Sequence, residues 1–205
     1  MTNKRQTKGR RRRNRGGPRL LGVAIIAMLV LAIAGLGVWL LWEQRPETTI
    51  MTYPMEYEEL IRRYAADNGL EPAYVAAVVL AESSYRADAV SSVNAQGLMQ
   101  ILPSTGEWLS GKFDEEYVEG CLFDPETNLR YGCWYLGWLM DRYDGEMSCA
   151  SSAYHQGQGT VDGWLQNPEY SDDGKTLKLI PSDATRTYVD RILKYYEKYE
   201  EIYAS

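Results

Sequence analysis

Residues 20–42 form a run of 23 positions without a single charge, and no other feature restricts the chain more. As a helix rising 1.5 Å per residue the run reaches about 34 Å, enough to cross a bilayer core with some tilt. The charges are divided across it. Nine of the 22 Lys and Arg lie before residue 20, whereas all 28 acids follow the run, starting at Glu43. Trp39 and Trp42 stand at its far end, where amphipathic rings favour the membrane interface. The positive-inside rule then predicts a basic cytoplasmic tail (1–19), a transmembrane signal anchor (20–42) and an exported remainder on the extracytoplasmic side. The competing reading is a cleaved signal peptide, because Ala32 and Ala34 have the A-x-A spacing. The long basic and apolar stretches favour the anchor, and the folded part is exported in both cases.

A folded region this acidic is a poor candidate for gripping nucleic acid or anionic lipid. The arginine-rich tail could bind nucleic acid by itself, but its position before an apolar run gives it the simpler role of orienting an anchor, so no nucleic-acid partner is expected. Residues 43–52 are polar, contain Pro46 and read as a stalk. Residues 53–205 are then one domain, long enough to bury a core without further help. Helices are expected over 54–67, 72–85, 98–109, 124–143, 148–156 and 185–203. Pro72 suits the first position of the second. Leu129, Cys133, Leu136, Met140 and Tyr143 stripe the fourth. Tyr188, Ile192, Tyr195, Tyr199 and Ile202 stripe the last. The glycines at 157 and 159 stop the fifth. Alternating patterns are scarce, and only 177–180 suggests a strand of a small ribbon within 165–182. The fold class is mainly α with that one small β element. All 16 tyrosines lie beyond Trp42, and for most of them core packing is the expected role.

Three cysteines fall in the exported part. Cys121 and Cys133 are the expected disulfide pair, because a bond there would pin a loop to the helix after it; three buried free thiols are the alternative. One histidine and no C-x-x-C spacing argue against zinc.

Glu82 is out of character with its helix. It follows Val75, Val78 and Val79 by seven, four and three positions, which places a carboxylate on the apolar face. Such a group costs several kcal/mol unless it is paired or protonated. Burial would lift its pKa from about 4.3 toward 6 or above, the range of a general acid near neutrality. The plainer alternative is a helix-end glutamate paired with Arg86, four residues on.

The residues downstream of Glu82 favour the acid. Glu82-Ser83 is followed by Ser91, Ala95 and Gly97-Leu98-Met99-Gln100-Ile101-Leu102-Pro103-Ser104-Thr105. This resembles the signature of the lytic transglycosylases of the goose-lysozyme-like SLT superfamily, E-S followed by S-x-x-G-A-x-G-L-M-Q-I-x-P-x-T, at the same spacing. Asp124-Pro125 with Asn128-Leu129, Gly132 and Tyr135-Leu136 is similar to the family's D-P-x-x-N-I-x-x-G-x-x-Y-L. Ala153-Tyr154-His155-Gln156-Gly157 is similar to its A-Y-N-A-G. Ile180-Pro181, Thr185-Arg186, Tyr188-Val189 and Arg191-Ile192 resemble its I-P-x-x-E-T-R-x-Y-V-x-R-I. Together the blocks cover nearly all of 55–200.

The resemblance implies a lysozyme-like helical domain with a glycan cleft, acting on peptidoglycan strands. It implies cleavage of the β-1,4 bond between N-acetylmuramic acid and N-acetylglucosamine, with closure of a 1,6-anhydro ring. Glu82 would be the catalytic acid and then base, a single carboxylate would suffice because the nucleophile belongs to the substrate, and no metal or cofactor would be required. It further implies substrate-binding roles for Gln100 and Met99 in the cleft, Ser91 near the acid, Tyr154 with its hydroxyl toward the carboxylate, and Tyr188 as a second cleft tyrosine. Plain alternatives are core filling for Met99 and the apolar stripe for Tyr188, and Gly97 is expected to serve the backbone turn. The chain departs from the pattern at Asn94, His155, Gln156 and Ala184. His155 is counted with the substrate-binding residues and is expected to stand in for an amide in a hydrogen bond, and Asp183 to compensate for Ala184 in supporting Arg186. A muramidase using water and a second carboxylate, and an inactive wall-binding scaffold, are the other function classes.

Overall fold

The computed structural model describes residues 53–203 and, before them, only Ile33, Ala34, Leu36 and Trp39, all four helical. The expected tail and stalk, and nearly all of the expected anchor, lie outside the described residues. Among the described residues no helix is long and apolar enough to cross a membrane.

Tyr53–Ser205 forms one compact unit. Its helices are α1 (Glu58–Asp67), α2 (Pro72–Ser83), α3 (Pro103–Ser110), α4 (Pro125–Arg142), α5 (Met147–Gln156), α6 (Gln158–Leu165) and α7 (Asp183–Tyr203), with a 3₁₀ turn at Cys121–Phe123 before α4. Pro72, Pro103 and Pro125 each open a helix, where the missing N–H costs nothing. Asp124 caps α4, its carboxylate accepting the Thr127 N–H at 2.9 Å.

Helix α2 is the axis of the domain. The valine face of the sequence reading is only part of it, because every residue from Ala73 to Val79 is buried, on all sides of the helix. The alanines at 73, 76 and 77 let neighbours close in. Helix α7 packs along α2, with α1 on another side; α5 lies against α7, and α4 joins α1 to α5. Buried tyrosines fill the joints and find partners for their hydroxyls. Tyr74 meets Ser151 at 2.8 Å, and Tyr85 donates to Tyr199 at 2.9 Å. Tyr199 in turn donates to the Pro54 carbonyl at 2.6 Å, and Tyr203 to that of Tyr53 at 3.0 Å. The first and last described stretches of the domain are thereby tied together.

Four expectations are corrected. Among the described residues there is no β-strand, only isolated bridges pairing Val90 with Gln96 and Gln96 with Ile101. At 171–176 the Asp173 carboxylate takes the N–H groups of Lys175 and Thr176 at 2.8 Å each, and the N–H groups of Lys178 and Leu179 both go to the Tyr170 carbonyl. These local bonds use up the donors that a ribbon would need. The helix expected over 98–109 begins only at Pro103, since a residue before proline resists helical geometry and Gly97 to Gln100 turn instead. Gly157, at φ 88°, does end α5, but Gly159 sits inside the unforeseen α6, which buries Val161 and Leu165 one turn apart. Finally, Cys121 and Cys133 are free thiols, as is Cys149. Cys121 sits near Tyr117, Glu115 and Asp124, while Cys133 is fully buried on α4 near Asp67, and each has different neighbours.

Candidate active site

The site grows from the end of α2 and the loop that follows it. Glu82 is the penultimate residue of α2. The helix stops there through two consecutive left-handed residues, Ser84 (φ 52°) and Tyr85 (φ 61°). Two non-glycine residues in that region are costly, and the strain lies directly beside the carboxylate.

The loop is fixed by a side chain that the motif contains but that sequence reasoning gave no role. Asn128, fully buried on α4, accepts the Met99 N–H at 2.7 Å and donates to the carbonyls of Gln96 at 2.9 Å and Leu122 at 2.8 Å. Gly97 fits under it at φ 77°; a Cβ there would stand 2.1 Å from the Leu122 carbonyl oxygen and 2.2 Å from Asn128 Nδ2. Gly97 thus serves the turn, as expected. Asn94, which replaces a family glycine, adopts φ 64°, a left-handed conformation that asparagine tolerates. Ser91 closes the 91–95 turn: its hydroxyl accepts the Ala95 N–H at 2.9 Å. Met99 is fully buried, and its sulfur fills the space where a Cβ on Gly132 would fall. Its place in the core corresponds to the plainer of the two roles weighed for it. Gln100, at φ 49°, spends its amide nitrogen on the carbonyls of Ala89 and Gly97 at 3.2 and 2.9 Å, while its side chain lines the groove.

Glu82 has no ion pair with Arg86, whose Nε goes to the Ser83 carbonyl at 3.1 Å. Its partner is Tyr188 on α7, which donates to Oε1 at 2.7 Å. Burial raises the Glu82 pKa to about 7, while the Tyr188 hydrogen bond and the charge of Arg191 act the other way and leave it there. Its position in the last turn of α2, at the negative end of the helix dipole, disfavours ionisation as well. The acid is therefore poised between its two protonation states at neutral pH. Both tyrosines singled out by the resemblance lie close to Glu82, and each hydroxyl has its own acceptor. Tyr188 binds the carboxylate, and Tyr154 donates to the Met99 carbonyl at 2.8 Å, bracing the loop from α5. Burial and the nearby Glu82 hold the hydroxyls of both well above the ordinary tyrosine range, so they remain donors.

His155 stacks on Tyr188, with ring centroids 4.6 Å apart. Its Nδ1 is 3.2 Å from the Thr185 hydroxyl, which also lies 3.1 Å from Gln156 Oε1. The two departures at 155 and 156 thus converge on one fully buried hydroxyl. Burial, then Arg191, lowers the His155 pKa, so the neutral ring is favoured. This is the hydrogen-bonding role expected of it. Arg186 pairs with Asp183 and donates to the Ile180 carbonyl at 2.9 Å, so the acid one residue before Ala184 supplies the missing partner.

These elements border a groove. A hollow of about 320 Å³ is lined by Gln100, Leu102, Thr105, Tyr135, Tyr154 and His155; Glu82 is linked to this lining through Tyr188, which bonds the carboxyl and stacks on His155. The groups acting on Glu82 are one hydroxyl and one guanidinium; no second carboxylate is among them. Among the described residues no cluster of side chains could hold a metal ion. The arrangement offers one half-buried, proton-carrying carboxyl beside an aromatic and amide-lined groove, suited to general acid–base work on a polar chain.

Comparison with known proteins agrees with this geometry. Residues 59–177 match the family model described as the transglycosylase SLT domain. The chain is 32% identical over 158 residues to a soluble lytic murein transglycosylase of Escherichia coli K12, covering 76% of this chain and 24% of that protein. It is 29% identical over 169 residues to a membrane-bound lytic murein transglycosylase C of Actinobacillus pleuropneumoniae, covering 72% and 46%. Among solved structures, an inactive glutamate-to-glutamine mutant of the Pseudomonas aeruginosa lytic transglycosylase Slt matches with a TM-score of 0.67 at 32% identity, over 77% of this chain and 26% of the other. A 70-kDa soluble lytic transglycosylase bound to bulgecin A matches with a TM-score of 0.69 at 28% identity, over 77% and 26%. The chain thus spans only about a quarter of the soluble relative's length.

Proposed function

Because the chain belongs to the transglycosylase SLT domain family, we propose that it is a peptidoglycan lytic transglycosylase acting at the outer face of a membrane. The observation that carries the reading is Glu82, held near pKa 7 by burial and bonded to Tyr188. Protonated Glu82 gives its proton to the glycosidic oxygen of N-acetylglucosamine as the bond to C1 of N-acetylmuramic acid breaks. The resulting carboxylate takes the proton of the muramyl C6 hydroxyl while O6 bonds to C1. Glu82 ends protonated, no water is consumed, and the product is a 1,6-anhydro sugar. The substrate's N-acetyl group steadies the positive charge at C1. Tyr188 orients the carboxyl and supports its anionic form at mid-reaction. Besides burial, the groups that shift Glu82 are Tyr188 and Arg191, and this route needs no further carboxylate, whereas hydrolysis needs one to hold water across the ring. The Pseudomonas relative is inactive as a glutamate-to-glutamine mutant, and Glu82 is the glutamate this site offers for the same role.

The uncharged run 20–42 and the arginines before it support a single-pass anchor with the domain outside, and one relative is named as membrane-bound. The test is to incubate the purified protein with peptidoglycan and weigh the fragments. Muropeptides one water lighter than reducing sugars, absent with Glu82→Gln, are expected. Reducing-end products would transfer the assignment to a hydrolase, and binding without cleavage to a scaffold.

A further inference from the structure

The groove continues past the catalytic hollow. A second hollow of about 200 Å³, lined by Ser104, Thr105, Trp108, Tyr135 and Gln158, shares Thr105 and Tyr135 with the first. Its two lining rings, Trp108 and Tyr135, belong to a connected run of aromatic side chains. Tyr154 tilts against Tyr135 with centroids 5.6 Å apart, and Tyr135 stacks on Trp138 at 6.1 Å and 12°. Trp108 meets Tyr135, Trp134 and Trp138 at 5.9, 5.7 and 6.4 Å, each near-perpendicular. Three of these rings come from one helix, α4, and Trp108 comes from α3 across from it.

Trp108 is 42% exposed, although it is among the largest apolar side chains of the domain. Its indole lines the second hollow and opens on solvent. Among the described residues the cation over the ring is Lys112, with Nζ 5.1 Å from the ring centroid, an exposed side chain that a ligand can push aside. The rim is polar and uncharged: Ser104 and Thr105 bring hydroxyls. Gln158 accepts from the Tyr135 hydroxyl at 3.4 Å through Oε1, which leaves its amide nitrogen to donate elsewhere. An indole face beside hydroxyl and amide groups suits the apolar face and the polar edge of a pyranose ring, and its N-acetyl group.

We propose that Trp108 forms a distal sugar subsite, taking an N-acetylated hexosamine of the same glycan strand whose scissile bond lies at Glu82. The proposal rests on the glycosidase reading and deepens it. Continuity with the catalytic hollow through Thr105 and Tyr135 is what commits the surface to glycan. A strand long enough to occupy both hollows gains contact that a short one lacks, so the enzyme favours long strands over short fragments of its own making.

The test uses the full-length protein with uncross-linked glycan strands separated by length. In the wild type, kcat/KM is expected to rise from tetrasaccharide to longer strands, chiefly through KM. In Trp108→Ala that rise should shrink at least roughly tenfold, the factor that about 1.4 kcal/mol of lost contact produces. Trp108→Phe should restore most of it, and thermal unfolding of each variant checks the fold. An equal length dependence in wild type and Trp108→Ala overturns the subsite while leaving the catalytic reading intact. Failure of the wild type to cleave strands of any length overturns both.

Discussion

Replacing Glu82 by Gln should make the protein inactive and, above neutral pH, more stable. The Glu82 pKa stands at about 7 in the folded protein against an ordinary 4.5. At about 1.4 kcal/mol per pH unit, the ionised carboxylate costs the fold about 3 kcal/mol. The sign follows from proton binding. Below pH 4.5 the carboxyl is protonated in both folded and unfolded chains and costs nothing. Between 4.5 and about 7 the folded protein holds the extra proton, so stability falls as pH rises. Above about 7 the full penalty applies. Glutamine does not titrate, and its carbonyl oxygen still accepts from Tyr188. The melting-temperature advantage of Glu82→Gln should therefore be near its minimum at pH 4.5 and grow through pH 8, by about 6–12 °C for a domain of this size. Any fixed packing cost of the amide shifts the whole curve without changing its slope. Thermal unfolding followed by circular dichroism from pH 4.5 to 9 measures it, beside fragment release from peptidoglycan. A difference that stays flat across that range, or shrinks toward alkaline pH, would refute the buried-acid argument.

Tyr188→Phe removes the hydrogen bond that favours the Glu82 carboxylate, so the alkaline limb of the kcat/KM profile, expected near pH 7 in the wild type, should move to higher pH as kcat falls. Asn128→Ala leaves the Leu122 carbonyl and the Met99 N–H unpaired in the interior, while the Gln96 carbonyl keeps the Ile101 N–H; at about 1–3 kcal/mol for each orphaned group, it should lower stability by about 2 kcal/mol or more in a denaturant titration. Gly97→Ala should be as damaging, since its Cβ has no room beside the Leu122 carbonyl and the positive φ adds strain. Because all three cysteines are free thiols, a reductant should leave the melting temperature unchanged, and thiol titration of the denatured protein should count all three.

The acid was legible in the sequence because a carboxylate three and four positions after valines has few plain reasons to be there. Its environment was legible in part. Residue offsets put Glu82 on an apolar face, but α2 proved to be buried all round, which no amphipathic pattern can announce. Tyr154 and Tyr188 were both singled out, but the acceptors of their hydroxyls, the Met99 carbonyl and Glu82, were not foreseen. The direction of a hydroxyl depends on how α5 and α7 cross, and spacing along either helix carries no such information. Asn128 stood in a matched motif without a role, since its three hydrogen bonds join segments about six to thirty residues apart. Helix α6, with two glycines in eight residues, has a poor local propensity and owes its form to burying Val161 and Leu165. The expected ribbon failed for the opposite reason, as local capping by Asp173 outcompeted a strand with no partner.

The tyrosine hydroxyls that fasten Tyr53 and Pro54 to the end of α7 also define a load path. Any pull on the domain through the chain preceding Tyr53 enters at that point and is borne first by Tyr199 and Tyr203. Tyr188 lies 11 residues before Tyr199 on the same helix, about 17 Å along its axis. The hydroxyl that holds the Glu82 carboxyl thus sits toward the other end of α7 from the point where such a pull would enter.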